Sequence, residues 1–268
     1  MTESTSLGPP RSRLSIVLRM VFAFTLIGLW SAIVLLSLVF LIPWRVRRIR
    51  MGNRYGKLVG FIVFRLAGIR PVIIDKTGLP GDPVDGKTRL ESLGPVLVVC
   101  NHSSTIDMWI GMWLNPYGGC GVAKKEIMKI PFFGFIYWLT GHLLIDRRNR
   151  EKAIRSMSEV GTFVRENSLG VWMWPEGSRS RDGRLKPFKK GFVHMAIATG
   201  LPVVPVISHD ADKRWKGGGF QVYPGPLRIE VLPPIDTGEW RVETLTEHVA
   251  EVRGTIRAAL AERQKGEP

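Results

Sequence analysis

A histidine and an aspartate separated by four residues, His102 and Asp107 in the stretch V-L-V-V-C-N-H-S-S-T-I-D (96–107), have the types and spacing of a general base and the acid that orients it. Val96, Leu97, Val98 and Val99 are continuously apolar and β-rich, as in a strand buried on both faces. Ser103, Ser104 and Thr105 are helix N-cap types, and 106–114 holds no breaker except Gly111. His102 is therefore expected on a strand-to-helix turn, with Asp107 in the first turns of the helix. On a plain helix, residues five apart point about 140° apart. The turn is what lets the carboxylate fold back onto the imidazole. Taken alone, the pattern is explained better by a capped turn with a hydrogen-bonded histidine. Cys100, two residues before the histidine, could be a nucleophile, though a cysteine ending a buried strand is more often only small and apolar.

Three later stretches change that balance. G-H-L-L-I-D-R-R (141–148) is a strand that delivers Arg147 and Arg148 at its C-terminal end, the end at which open α/β sheets bind ligands. A surface pair between Asp146 and Arg147 fits it as well. W-P-E-G-S-R-S-R (174–181) follows another apolar strand: Pro175 and Gly177 shape a tight turn, Glu176 is left near the sheet edge, and Arg179 offers a bidentate fork for phosphate. L-P-V-V-P-V (201–206) is a buried strand bracketed by prolines, which predicts an edge position or a pocket wall, with plain core packing as the alternative.

The elements that must position these residues alternate short apolar runs with amphipathic segments, the pattern of an α/β fold. Strands are expected at 70–75, 96–100, 120–123, 143–146, 170–174, 203–207 and 227–231. Helices are expected at 105–114, 132–139, 151–166, 189–199 and 244–263. In the last of these Val249, Val252, Ile256 and Leu260 mark one buried face. Gly and Pro crowd 76–94, which reads as a loop. The expected architecture is a mixed, largely parallel central sheet flanked by helices over 70–268, preceded by a membrane-anchoring helical unit over 1–69.

That unit rests on residues 20–43, an uncharged run of 24 residues rich in Leu, Val, Ile and Phe. About 20 apolar residues suffice to cross a bilayer. No small-x-small site closes the run as in a cleaved signal peptide. Arg45, Arg47, Arg48, Arg50, Arg54 and Lys57 follow it, against Arg11, Arg13 and Arg19 before it, so the positive-inside rule places the following domain on the cytoplasmic face of the inner membrane. Residues 58–67 are apolar but too short to span. They read as an interfacial helix or a hairpin partner of the first run, and the pair either spans the bilayer or lies in one leaflet. A net charge of +15 from 38 Lys and Arg asks for an anionic partner. Much of that charge lies beside the membrane run, not among exposed aromatics, which argues against nucleic acid. The two cysteines have no metal-ligand spacing, and no Gly-rich dinucleotide loop follows a strand, so no cofactor is expected. His142, His194, His209 and His248 have no acidic partner at a telling spacing and read as structural or exposed.

In this order and spacing, Asn101-His102-x4-Asp107, Gly141-x5-Arg147, Trp174-Pro175-Glu176-Gly177-Ser178-Arg179 and the proline-bracketed 201–206 resemble the glycerolipid acyltransferase family. A-K-K-E (123–126), I-P-F-F-G (130–134) and F-K-K-G (188–191) are similar to it too. Trp174 stands where the family usually has Phe, and Ser178 where Thr is commoner. The resemblance covers about 95–210 and implies transfer of a fatty acyl group from a thioester, of acyl-carrier protein or coenzyme A, to the 2-hydroxyl of 1-acyl-glycerol-3-phosphate, giving phosphatidic acid. Another lysolipid, such as a lyso-ornithine lipid, is the alternative acceptor. His102 would take the hydroxyl proton, Asp107 would orient it, and Arg147, Arg179 and Lys124 would hold the acceptor's phosphate. Glu176, Gly177 and Ser178 would line the glycerol site. The thioester is already activated, so Ser103 and Ser104 are caps in this reading, not nucleophiles. Backbone N–H groups near the turn at 176–178 or at 203–204 are candidate oxyanion donors, which the sequence alone does not place.

Overall fold

The apolar runs become strands of one sheet. In the computed structural model, which describes residues 13–79, 89–116, 118–129, 133–146, 149–216 and 221–266, they are β1 (Ile69–Asp75), β2 (Leu97–Cys100), β3 (Cys120–Lys124), β4 (Leu143–Ile145), β5 (Val171–Met173), β6 (Val203–Ser208) and β7 (Gly225–Val231). The order across the sheet is β1-β7-β6-β2-β5-β3-β4. Every pairing is parallel except that of β6 with β7. The helices are α1 (Arg13–Phe40), α2 (Arg45–Ala67), α3 (Ile106–Leu114), α4 (Phe133–Leu139), α5 (Arg150–Glu166), α6 (Gly191–Thr199), the short α7 (Ala211–Arg214) and α8 (Leu245–Ala259).

β2 shows why the unbroken apolar run was needed. Leu97 and Val99 enter one core with residues of α5, α6 and α8, such as Val164, Phe192 and Val252. Val96, Val98 and Cys100 enter a second core with Ile106 and Ile110 of α3 and Val59 and Val63 of α2. Side chains alternate across a strand, so a strand covered on both faces has no polar side to show.

β6 is not at an edge. It lies between β7 and β2, and all six of its residues are buried. Pro205, which has no N–H to give, sits in a gap of the antiparallel ladder: Val203 bridges to Ile235, and regular pairing with β7 begins only at Val206. Its carbonyl still accepts from the Leu232 N–H at 2.9 Å. A proline is thereby tolerated inside an interior strand.

α8 stops at Ala259, short of the expected 263. Leu260 turns extended, with φ −75° and ψ 150°, and the chain closes with a 3-10 turn (Glu262–Gln264). Residues 58–67 form the second half of α2, a hairpin partner of α1 that also packs on α3. That packing is very close: a Cβ at Gly60 would lie 2.8 Å from the Trp113 Cβ and 2.9 Å from the Trp109 carbonyl. Taken over the described side chains, no helix is long and apolar enough to cross a membrane.

Candidate active site

Strand ends bring the motifs together. β2 and β5 are neighbours and parallel, so the turn after Cys100 and the turn after Met173 emerge side by side. Asn101 first locks β2 to β6: its Nδ2 donates to the Ser208 carbonyl at 3.1 Å, and its Oδ1 accepts from the Ser208 N–H at 2.8 Å. His102 follows, with its side chain 16% exposed and Nδ1 3.0 Å from Oδ2 of the fully buried Asp107.

The same Asp107 Oδ2 accepts from the backbone N–H groups of Ser103 and Ser104, each at 2.7 Å. These donors precede α3, where backbone N–H groups otherwise lack partners. The helix is therefore capped from its own first turn, and Thr105, at the N-cap position, makes no side-chain capping bond. Ser104 contributes differently: its hydroxyl donates to the Trp215 carbonyl and accepts from the Ile106 N–H. Both serine side chains are buried, Ser104 fully, which suits a structural role. With Nδ1–H on Asp107, Nε2 is the ring nitrogen left to accept a proton.

Glu176 holds the two turns together. Its Oε1 accepts from the His102 N–H at 2.6 Å and its Oε2 from the Lys186 N–H at 3.1 Å. The Ser180 N–H donates to the His102 carbonyl at 2.8 Å, so His102 is fastened at both ends of its backbone. Burial pushes the Glu176 carboxyl up to about 7, against the pull of those two N–H groups. The carboxylate is thus placed on backbone donors beneath the turn, while Gly177, Ser178 and Arg179 are exposed above it. The Arg179 guanidinium reaches across to the HX4D turn, where Nη1 donates to Thr105 Oγ1 at 2.7 Å. Ser178 accepts from Lys186 Nζ at 2.6 Å. Trp174 stacks on the imidazole, with ring centroids 5.0 Å apart and planes at 26°.

Arg147 lies outside the described residues, as does the side chain of Lys124, whose backbone ends β3. Two of the N–H groups considered as oxyanion donors are already engaged, Val203 by the Ile235 carbonyl and Gly177 by the Trp174 carbonyl. Cys100 is fully buried and its thiol is raised well above the ordinary range, first by burial and then by Asp107 and Glu176. That disfavours the thiolate a nucleophile needs. His209 does have an acidic partner: Nε2 lies 2.9 Å from Oε2 of the buried Glu230, which Lys76 and Arg228 also approach. His142 is pushed down to about 4, chiefly by burial, and its Nδ1 accepts from the Gly121 N–H.

Residues 83–209 match the family model described as Acyltransferase. Over 230 residues the chain is 40% identical to a 1-acyl-sn-glycerol-3-phosphate acyltransferase of Limnanthes douglasii, covering 86% of this chain and 77% of that one. Over 178 residues it is 37% identical to the Escherichia coli (strain K12) protein of the same name, covering 66% and 72%. The chain belongs to the glycerolipid acyltransferase family. The crystal structure of the 1-acyl-sn-glycerophosphate (LPA) acyltransferase PlsC from Thermotoga maritima is similar to it with a TM-score of 0.66 at 25% identity, covering 89% of this chain and 91% of that one. The acyltransferase motifs of this chain thus stand on a matching fold. What the sequence could not signal are the contacts of Glu176 and Asn101, because a backbone N–H or carbonyl has no residue type to read.

Proposed function

We propose that the chain is a membrane-bound O-acyltransferase that moves a fatty acyl group from an acyl thioester to the 2-hydroxyl of 1-acyl-glycerol-3-phosphate, yielding phosphatidic acid. The observation that carries this is the His102 Nδ1–Asp107 Oδ2 contact of 3.0 Å on a turn held at both backbone ends, with Arg179 tethered beside it. The substrate hydroxyl hands its proton to His102 Nε2 as its oxygen attacks the thioester carbonyl. The carbon–oxygen bond forms, the carbon–sulfur bond breaks, and the thiol leaves with a proton returned from the imidazolium. Asp107 stabilises that imidazolium. Arg179, with Arg147 and Lys124, binds the acceptor's phosphate. Glu176 positions the turn, and Gly177 and Ser178 form the edge on which the glycerol rests. The names of the curated relatives favour this acceptor over a lyso-ornithine lipid.

The reading is tested by assaying the purified protein with a panel of lysolipids and both acyl-CoA and acyl-carrier-protein donors. Turnover of the lysophosphatidate is expected, and Arg179→Ala should raise its KM while affecting the donor less. Turnover of only phosphate-free acceptors would overturn the assignment.

Membrane attachment through residues 1–69, at the cytoplasmic face of the inner membrane, belongs to the same proposal. It is supported by the exposed Leu14, Leu18, Phe22, Leu29, Leu36 and Phe40 of α1. The outward stripe of α2 adds Arg47, Arg50, Arg54 and Phe61, and basic groups near a bilayer favour anionic headgroups. The protein should stay with membranes through alkaline carbonate extraction; release into the supernatant would refute embedding.

A further inference from the structure

Trp174 lines two separate apolar cavities on opposite faces of the sheet. One, of about 430 Å³, is walled by Met157 of α5, Phe192 and Ile197 of α6 and Ile145 at the end of β4. The other, of about 310 Å³, lies between α2, α3, α4 and β3, with Met108, Met112, Val122 and Ile136 in its walls. Among the described residues Trp174 is the only one common to both linings. The indole is also fixed in place. It stacks on His102 and leans on Trp172 at 6.2 Å between centroids. It fills the space over Gly111 so closely that a Cβ there would lie 2.9 Å from its Cζ2.

The inference rests on the function proposed above. Transfer requires a donor carbonyl and an acceptor hydroxyl to meet at His102 Nε2, and each brings its own hydrocarbon chain. Two chains converging on one atom must leave it in different directions, and each needs an apolar wall. We infer that Trp174 is the partition between these two paths and a determinant of chain-length selectivity, with the transferred chain in the α2–α3–α4 cavity and the acceptor's own chain in the α5–α6 cavity. The charges make the assignment. Among the described side chains, no Lys, Arg, Asp or Glu lines the α2–α3–α4 cavity. The α5–α6 cavity carries Lys189 at its rim beside Gly177, where a phosphate-bearing acceptor is better placed than a bare acyl chain.

The test uses the full-length protein in lipid vesicles, with saturated acyl-CoA thioesters of graded length competing for one lysophosphatidate, then lysophosphatidates of graded length competing for one thioester. Products are read by mass spectrometry. Trp174→Phe should shift the ratio of long to short chains by roughly tenfold, the scale on which an apolar pocket discriminates one methylene. Trp174→Ala should shift it further. Two filling variants, one for each cavity, leave Trp174 untouched. Ala123→Leu should select against long donors, and Ala153→Leu against long acceptors, each about tenfold and each leaving the other substrate's profile in place. Unchanged profiles in the Trp174 variants, or both filling variants acting on the same substrate, would overturn the partition. Absence of any acylated lysophosphatidate from the unmutated protein would overturn the function itself, and the partition with it.

Discussion

Replacing His102 by alanine is expected to cost at least about 100-fold in kcat, the lower range for loss of a positioned general base. Little change in fold is expected, because the bonds that hold the turn run through the His102 backbone and through Asp107, not through the imidazole. Steady-state kinetics together with a thermal melt separate the two effects, and near-normal turnover in that variant would end the mechanism. Asp107→Asn asks a finer question. One carboxylate oxygen carries all three contacts, to His102 and to the N–H groups of Ser103 and Ser104. The other, Oδ1, is buried without a hydrogen-bond partner among the described residues. An amide can place its oxygen on the first position and its NH2 on the second, so geometry and histidine tautomer survive while the charge is lost. The expected loss is at least roughly tenfold in kcat, since about 1.4 kcal/mol of imidazolium stabilisation suffices for that. Asp107→Ala differs because it strips the acceptor from two buried backbone donors, each costing about 1–3 kcal/mol. It should lower the melting temperature as well as the rate.

The contrast between these variants follows from which interactions carry a residue-type signature. β2 was readable because burial on both faces leaves only apolar residues, and the two cores do share it, through Leu97 and Val99 on one side and Val96, Val98 and Cys100 on the other. The spacing of His102 and Asp107 was readable because a turn of fixed length sets their reach. The antiparallel pairing of β6 with β7 was not. It brings His209 to Glu230, 21 positions away, through a register that no local pattern encodes. The stacking of Trp174 on His102 also needed coordinates, since it depends on β2 and β5 being adjacent. The same adjacency turns Glu176 from a residue at a sheet edge into the tie under the histidine.

That tie has a measurable electrostatic cost. Burial raises the Glu176 carboxyl from 4.5 to about 7 even though two backbone N–H groups favour its ionised form. Between those values the unfolded chain has released the proton and the folded chain still holds it, so rising pH favours unfolding. The group's contribution is fully present below about 4.5, falls by about 1.4 kcal/mol per pH unit, and levels off above about 7, on the order of 3 kcal/mol in all. Glu176→Gln removes this titration while keeping an oxygen for the His102 N–H, and it leaves an NH2 facing the Lys186 N–H. Denaturant melts of both proteins at stepped pH therefore predict a stability difference that moves against the unmutated protein as pH rises from 4.5 to 7. Asp107 and Lys186, the charges that act on Glu176, are present in both proteins and largely cancel in the comparison. A difference that grows in favour of the unmutated protein instead would mean that the two N–H donors outweigh burial. Activity should run the other way. Only the ionised carboxylate accepts from both N–H groups without turning a donor toward one of them, so the His102 turn is held best at and above pH 7. The enzyme gains its fixed histidine in the range where Glu176 costs it stability, and Glu176→Gln should lose both the gain and the cost.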